Sequence, residues 1–231
     1  MTPQLRAVVF DLDGTLIDSV PDIAAALNRC LALEGREALS EESVARLVGG
    51  GARELVTRAL GAPTPTAIVD RAYANFLAFY EAEPAVRTRL YPGARELLKA
   101  LRDVGLPLGI CTNKPQTLTT LILERMTIAE SFSAVWGGEA GRPLKPAAEC
   151  LRTVCSALGT TTAETLMVGD SHTDVDAARA AGCPVIVVAH GYEQRALASL
   201  GADAVVAGLP EAGVEISRRL SRTQSRLHWS A

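Results

Sequence analysis

Two carboxylates, Asp11 and Asp13, stand two residues apart where an apolar run rich in β-branched residues ends, followed at once by Gly14 and Thr15. In an extended chain, side chains at i and i+2 face the same way, so both acids can address one crevice. Three more polar clusters each follow an apolar run: Thr112-Asn113, Lys145-Pro146, and Gly169-Asp170 with Asp174 four residues on. Their common position after strands predicts a single site.

The chemistry these residue types fit is attack by a carboxylate on a phosphate ester. Such a nucleophile approaches a dianion, and at ~3.5 Å with an effective dielectric of ~20 each unit-charge pair repels by roughly 5 kcal/mol. Cations are therefore required. Asp11 and Asp170 are oxygen ligands suited to a hard ion such as Mg²⁺. Lys145, one of only three lysines beside 20 arginines, supplies a second positive charge. The Thr112 hydroxyl and the backbone N–H groups around Asn113 can bind the remaining phosphoryl oxygens as charge spreads in the transition state. Asp13 is then the general acid for the leaving oxygen and the general base for the hydrolytic water.

The elements that must position these groups can be read from periodicity. Residues 5–10, 106–111, 134–136, 165–168 and 184–189 read as buried strands, alternating with helical segments such as 96–104 and 147–158. Strict alternation predicts an α/β fold with a Rossmann-like parallel sheet covered on both faces. Between the first strand and Tyr91-Pro92-Gly93 the pattern is helical only. Ile23, Ala26, Leu27, Cys30 and Leu31 share one helix face, with Ser19 and Pro21 as start signals; Ile68, Ala72, Phe76, Phe79 and Tyr80 share another. Two shorter helices are expected between them. The predicted organisation is a catalytic core of residues 1–14 and 90–231 with a small helical cap, residues 15–89, inserted after the first strand. An insertion there lies over the ligand-binding edge of the sheet and is placed to act as a lid, with hinges expected at 15–19 and 89–93.

Composition narrows the function. With 23 basic and 26 acidic residues among 231, and 48% hydrophobic residues, no polybasic surface is indicated and nucleic acid is not an expected partner. No segment approaches the length of a membrane span, so a cytoplasmic protein acting on a small-molecule phosphate ester, as monomer or homodimer, is the expectation. Five scattered cysteines without a Cys-x-x-Cys pair read as small buried hydrophobes. The arginine-bearing tail after Glu215, including Arg226, reads as a solvated helix end and loose terminus, and His228 and Trp229 carry no functional expectation.

Taken in order, Asp11-Leu-Asp13-Gly-Thr15, Thr112, Lys145 and Gly169-Asp170-x-x-x-Asp174 resemble the haloacid dehalogenase superfamily up to about residue 210. The resemblance implies that Asp11 forms an aspartyl-phosphate. It implies that Asp11, the Asp13 main-chain carbonyl and Asp170 ligate Mg²⁺, with Asp174 supporting the metal through water. Residues 11–22, 24–28, 49–51, 91–93, 112–115 and Gly191-Tyr192 are similar to the phosphoglycolate phosphatase group. One departure is that Lys145-Pro146 is followed by Ala147-Ala148 where that group usually has Asp-Pro.

The implied reaction is Mg²⁺-dependent hydrolysis of 2-phosphoglycolate. The alternatives are another small phosphomonoester, pyrophosphate, or a phosphomutase resembling β-phosphoglucomutase. A dehalogenase needs neither Asp13 nor Asp170, and a Schiff-base phosphonatase needs a cap lysine, whereas no lysine precedes Lys99. Intact acids and Lys145 argue against a non-catalytic descendant. Substrate choice is expected in the cap, where Gly49-Gly50-Gly51 either brings backbone to the ligand or is simply a break between two helices. Arg53 meets a substrate carboxylate or is a solvated helix residue. Lys114 either influences the phosphate site or is solvent-exposed, and His172 lies on the surface or behind the site.

Overall fold

The computed structural model describes residues 4–224; Arg226, His228 and Trp229 lie outside the described residues. The chain runs β1 (Ala7–Phe10), β2 (Ile17–Asp18), α1 (Val20–Leu33), α2 (Glu41–Ala45), α3 (Ala52–Leu60), α4 (Thr66–Ala82), β3 (Arg89–Leu90), α5 (Ala94–Asp103), β4 (Leu108–Pro115) and α6 (Gln116–Arg125). It continues β5 (Ala134–Gly138), α7 (Ala148–Ala157), β6 (Thr165–Gly169), α8 (His172–Ala181), β7 (Val185–Val188), β8 (Ala204–Val206) and α9 (Leu209–Gln224).

Six strands form one parallel sheet in the order β5-β4-β1-β6-β7-β8. The chain winds outward from β1 through β4 to β5, then returns to β6 on the other side. The order therefore reverses at the centre, where open α/β sheets leave a crevice beyond the carboxyl ends of their strands. Register brings the site together: Phe10 pairs with Ile110 and with Val168, so Asp11, Cys111 and Gly169 lie level with one another.

Alternation along β1 divides the apolar interior. Val8 and Phe10 join a core that takes in Leu97 of α5, Leu118 of α6, Leu209 of α9 and the inner faces of α1, α3 and α4. Val9 faces a second core with Leu151 of α7 and Val175 of α8. All five cysteines are free and buried, as expected of small hydrophobes, and Cys30 and Cys183 donate to the carbonyls of Ala72 and Thr165. No helix among the described residues is long and apolar enough to cross a membrane.

The stretch after β1 is helical, as the periodicity predicts, and is tied to the sheet by the antiparallel β2/β3 ribbon. Pro21 sits in the first turn of α1, but the Ser19 hydroxyl does not cap the helix because it donates to Asp13 at 2.5 Å. Buried Asp22 closes the loop back to β3 by accepting from the backbone N–H of Arg87 and Thr88 and from the Thr88 hydroxyl at 2.6–3.0 Å. Asp22 thus joins the first helix of this region to its last segment.

Some boundaries depart from the sequence reading. β1 begins at Ala7, leaving Leu5 and Arg6 outside the strand, and β4 runs on to Pro115 with an irregular register after Cys111. Strand β8 was not legible, because its three residues sit at the sheet edge only partly covered.

Candidate active site

Asp11 is buried at the end of β1, with Thr112 and Asn113 from β4 beside it. Lys145 Nζ lies 2.8 Å from Asp11 Oδ1 and 2.6 Å from Asp174 Oδ1. The contact with Asp11 is close but poorly aligned, and Asp11 Oδ1 is left without a well-formed hydrogen bond. A buried lone pair without an aligned donor is costly unless a ligand claims it.

Asp170 leaves β6 held from two sides, accepting from the Thr15 hydroxyl at 3.0 Å and from the Tyr192 backbone N–H at 2.8 Å. Gly191 makes that approach possible: a Cβ there would fall 2.2 Å from the Asp170 Cβ and 2.3 Å from Oδ2. Gly191→Ala is expected to turn Asp170 aside and lower kcat/KM about 10- to 100-fold, with a raised requirement for divalent metal in a metal titration. An unchanged titration curve would mean that Asp170 is not held as described.

Asp174 has a double task. Its Oδ2 accepts from the N–H groups of Asp170 and Ser171 and from the Ser171 hydroxyl, in the capping box that starts α8, while Oδ1 takes Lys145. The Lys145 loop is gripped again by Asn113, whose amide accepts from Lys145 N at 2.8 Å and donates to Lys145 O and to Gly49 O, each at 2.9 Å. Asn113, expected to bind substrate, has its amide engaged with backbone on both sides of the crevice. This grip also places Lys145 despite Ala147-Ala148; Ala147 precedes α7 with no side-chain cap.

The charges do not balance. Asp11, Asp170 and Asp174 place an oxygen each within 4.8 Å of one another, all buried, against the single ammonium of Lys145. Burial, opposed by Lys145 and reinforced by Asp174, pushes Asp11 up to about 6. Burial and the neighbouring Asp174 and Asp11 raise Asp170 well above the usual carboxylate range. For Lys145 burial works against the charge, but Asp11 and Asp174 outweigh it and hold the ammonium more firmly than in an ordinary lysine. Surplus buried negative charge and the unaligned Asp11 oxygen fit a hard divalent cation of the Mg²⁺ kind.

Asp13 is largely buried and has its own cation. Lys114 Nζ lies 3.0 and 3.2 Å from its two oxygens and 2.8 Å from the hydroxyl of Tyr80 in α4. Solvent exposure, one of the two options for Lys114, is ruled out, since its side chain is 2% exposed. The sequence carried a partial signal: Lys114 is one of three lysines, two residues beyond Thr112. Tyr80 was legible only as a core residue on the α4 face. Arg53 is half-exposed, pairs with Asp70 and stands over the Tyr73 ring, so the structure does not bring it to the other candidates. His172 starts α8 partly exposed, with Glu193 2.7 Å from its Nδ1.

The glycine run proves to be both things it could be. Gly51 immediately precedes α3, while the Gly49 carbonyl reaches Asn113 across the crevice. Gly49 and Gly51 adopt φ of 126° and 93°, values that disfavour a side chain.

Asp11 and Asp13 line two adjoining cavities. One, of about 50 Å³, is walled by apolar residues including Ile23, Leu55, Phe76 and Leu118, with Thr112 and Lys114 as polar members. The other, of about 490 Å³, is lined by Lys145, Asp170, His172, Tyr192, Arg46 and Arg58 among others.

A strand-end carboxylate, a second acid two residues on, a buried lysine and an acidic triad at a topological switch point agree with the family model for haloacid dehalogenase-like hydrolases, which matches residues 8–188. The chain belongs to this family. It is an enzyme of the phosphoglycolate phosphatase-like branch. It is 44% identical over 208 residues to the phosphoglycolate phosphatase of Rhodospirillum rubrum, covering 87% of this chain and 86% of the relative. Its fold matches a crystal structure of a predicted phosphoglycolate phosphatase from Haemophilus somnus with a TM-score of 0.87 at 30% identity, over 94% of this chain and all of the other. CbbY from Rhodobacter sphaeroides, solved in complex with phosphate, matches with a TM-score of 0.75 at 25% identity, over 92% of this chain and all of the other.

Proposed function

We propose that this phosphatase hydrolyses 2-phosphoglycolate through an aspartyl-phosphate on Asp11, with Mg²⁺ as cofactor, and that it acts in the cytoplasm. The observation that carries the substrate reading is the small cavity beside Asp11. At about 50 Å³ it has room for roughly four water-sized groups. A glycolate leaving group, a methylene and a carboxylate beyond the ester oxygen, is of that size and fits there when it turns toward Lys114, whereas a hexose or nucleoside would have to enter the adjoining cavity of about 490 Å³. The relatives' names agree with this reading.

In the proposed reaction an Asp11 carboxylate oxygen attacks phosphorus and the ester bond breaks as Asp13 gives its proton to the departing glycolate oxygen. Asp13 then takes a proton from the water that opens the aspartyl-phosphate, and inorganic phosphate leaves. Lys145 sets its charge against the phosphoryl oxygens, and the Thr112 hydroxyl donates to another. Asp11, Asp170 and the Asp13 main-chain carbonyl would hold Mg²⁺, with Asp174 behind them. When bound, the ion neutralises phosphoryl charge and lets the Asp11 carboxylate approach. The helical region over the crevice closes on substrate and keeps bulk water out until the phosphoenzyme has formed.

Phosphate release from 2-phosphoglycolate, a panel of small esters and pyrophosphate, each with Mg²⁺ or with chelator, tests this reading. Metal-dependent preference for phosphoglycolate is expected; preference for another ester would overturn the substrate, and turnover unaffected by chelator would overturn the cofactor.

A pH effect follows from the same charges. Asp11 and Asp170 have raised pKa values in the folded state, so folding without metal favours their protonated forms. The associated stability is fully present below the ordinary carboxylate pKa near 4 and, for Asp11, is lost as pH rises through about 6. Mg²⁺ is therefore expected to raise Tm clearly at pH 7.5 and little at pH 5, as read by thermal melts with and without the ion. An equal rise at both pH values would contradict the acidic-site assignment.

A further inference from the structure

We propose that Lys114 and Tyr80 form the subsite for the substrate's carboxylate, so that one donor comes from the sheet and the other from the helical region above it. The inference deepens the reading of 2-phosphoglycolate as substrate and rests on it. The small cavity has Asp11 and Thr112 among its lining residues, its walls are mostly apolar, and Lys114 is the cation among them. Arg53, the cation the sequence suggested for this task, is occupied by Asp70.

The geometry suits a second anion. The Lys114 ammonium carries three protons and bonds both oxygens of the Asp13 carboxylate, at 3.0 and 3.2 Å, and the Tyr80 hydroxyl at 2.8 Å. Tyr80 accepts that bond, so its own proton is free of it and can be donated. An entering carboxylate would take over the Lys114 N–H now given to the more distant Asp13 oxygen and, with the phenol turned toward it, the Tyr80 proton. Two donors in a largely apolar cavity strongly favour a substrate that bears the matching acceptor, because without it they stay buried and less well paired. Because Lys114 also touches Asp13, the group that identifies the leaving moiety is in contact with the acid that protonates it.

The test compares kcat/KM for 2-phosphoglycolate with that for ethyl phosphate, which keeps the two-carbon chain but lacks the carboxylate oxygens, in the full-length enzyme and in Lys114→Gln and Tyr80→Phe. Loss shared by both esters reports the effect on Asp13; the ratio isolates carboxylate recognition. The ratio is expected to fall about 30- to 100-fold in Lys114→Gln and about 3- to 10-fold in Tyr80→Phe, chiefly through KM for phosphoglycolate. A wild-type preference for phosphoglycolate that persists undiminished in both variants would overturn the subsite while leaving the substrate reading intact. A wild-type enzyme indifferent between the two esters would overturn both. Tyr80→Phe removes only an oxygen atom, so it decides the matter alone if Lys114→Gln does not fold: an unchanged ratio rejects the proposal.

Discussion

Asp11→Asn is expected to abolish turnover and, at the same time, to stabilise the metal-free protein. In the proposed reaction the attacking oxygen is lost, so phosphate release should fall by at least ~10⁴-fold, to the level of a trace contaminant. The amide removes one of three buried negative charges that share a single ammonium. Without Mg²⁺ at pH 7.5 the variant should melt about 2–6 °C above wild type, on the order of 1–2 kcal/mol, as when a functional charge is removed from a strained site. The gain should shrink toward pH 5, where wild-type Asp11, with its pKa near 6, is already mostly protonated. A variant with more than a small residue of activity would remove Asp11 as nucleophile. One less stable than wild type at pH 7.5 would remove the charge argument.

Lys145→Met is expected to do the reverse to stability. It leaves Asp11, Asp170 and Asp174 buried with no ammonium among them, and breaking a buried ion pair from one side costs about 3–5 kcal/mol. Turnover should fall about 10²- to 10³-fold as well, because the charge proposed to meet the phosphoryl oxygens is gone. The two losses can be separated. Adding Asp174→Asn to Lys145→Met should recover much of the stability, since the amide oxygen can still cap α8, and should recover none of the rate. If Lys145→Met melts like wild type in metal-free buffer, the ion pairs do not carry the weight assigned to them.

Much of the site was legible because its members are fixed by local rules. Asp11, Thr112 and Asp170 each follow a clear apolar run, and the carboxyl ends of such runs in a parallel sheet meet at one edge. Asp174 was recognisable by its spacing from Gly169, and the helix faces of α1 and α4 by their period. What escaped depends on contacts between distant parts of the chain. Nothing near Lys114 in sequence says that Tyr80, 34 residues earlier, will cover it. Asn113 stood beside Thr112 and was read as a substrate ligand, but Gly49 and Lys145, from two other loops, take up its amide. Arg53 on the third helix could not be told from a ligand-binding arginine until Asp70 of the next helix was in place. Strand β8 was missed because a short edge strand has neither the length nor the burial that makes a pattern.

Tyr192 ties together parts that periodicity treats as separate. Its backbone N–H holds Asp170, while its phenol receives the Ser19 N–H at 2.9 Å and donates to Asp18 at 2.8 Å, where the chain enters α1. A shift of that entry strand therefore reaches a carboxylate of the acidic triad through one residue. Linkage is reciprocal: if a ligand that fixes the entry strand changes affinity at Asp170 by some factor, occupancy at Asp170 must change that ligand's affinity by the same factor. The order in which ion and ester arrive would leave that factor unchanged.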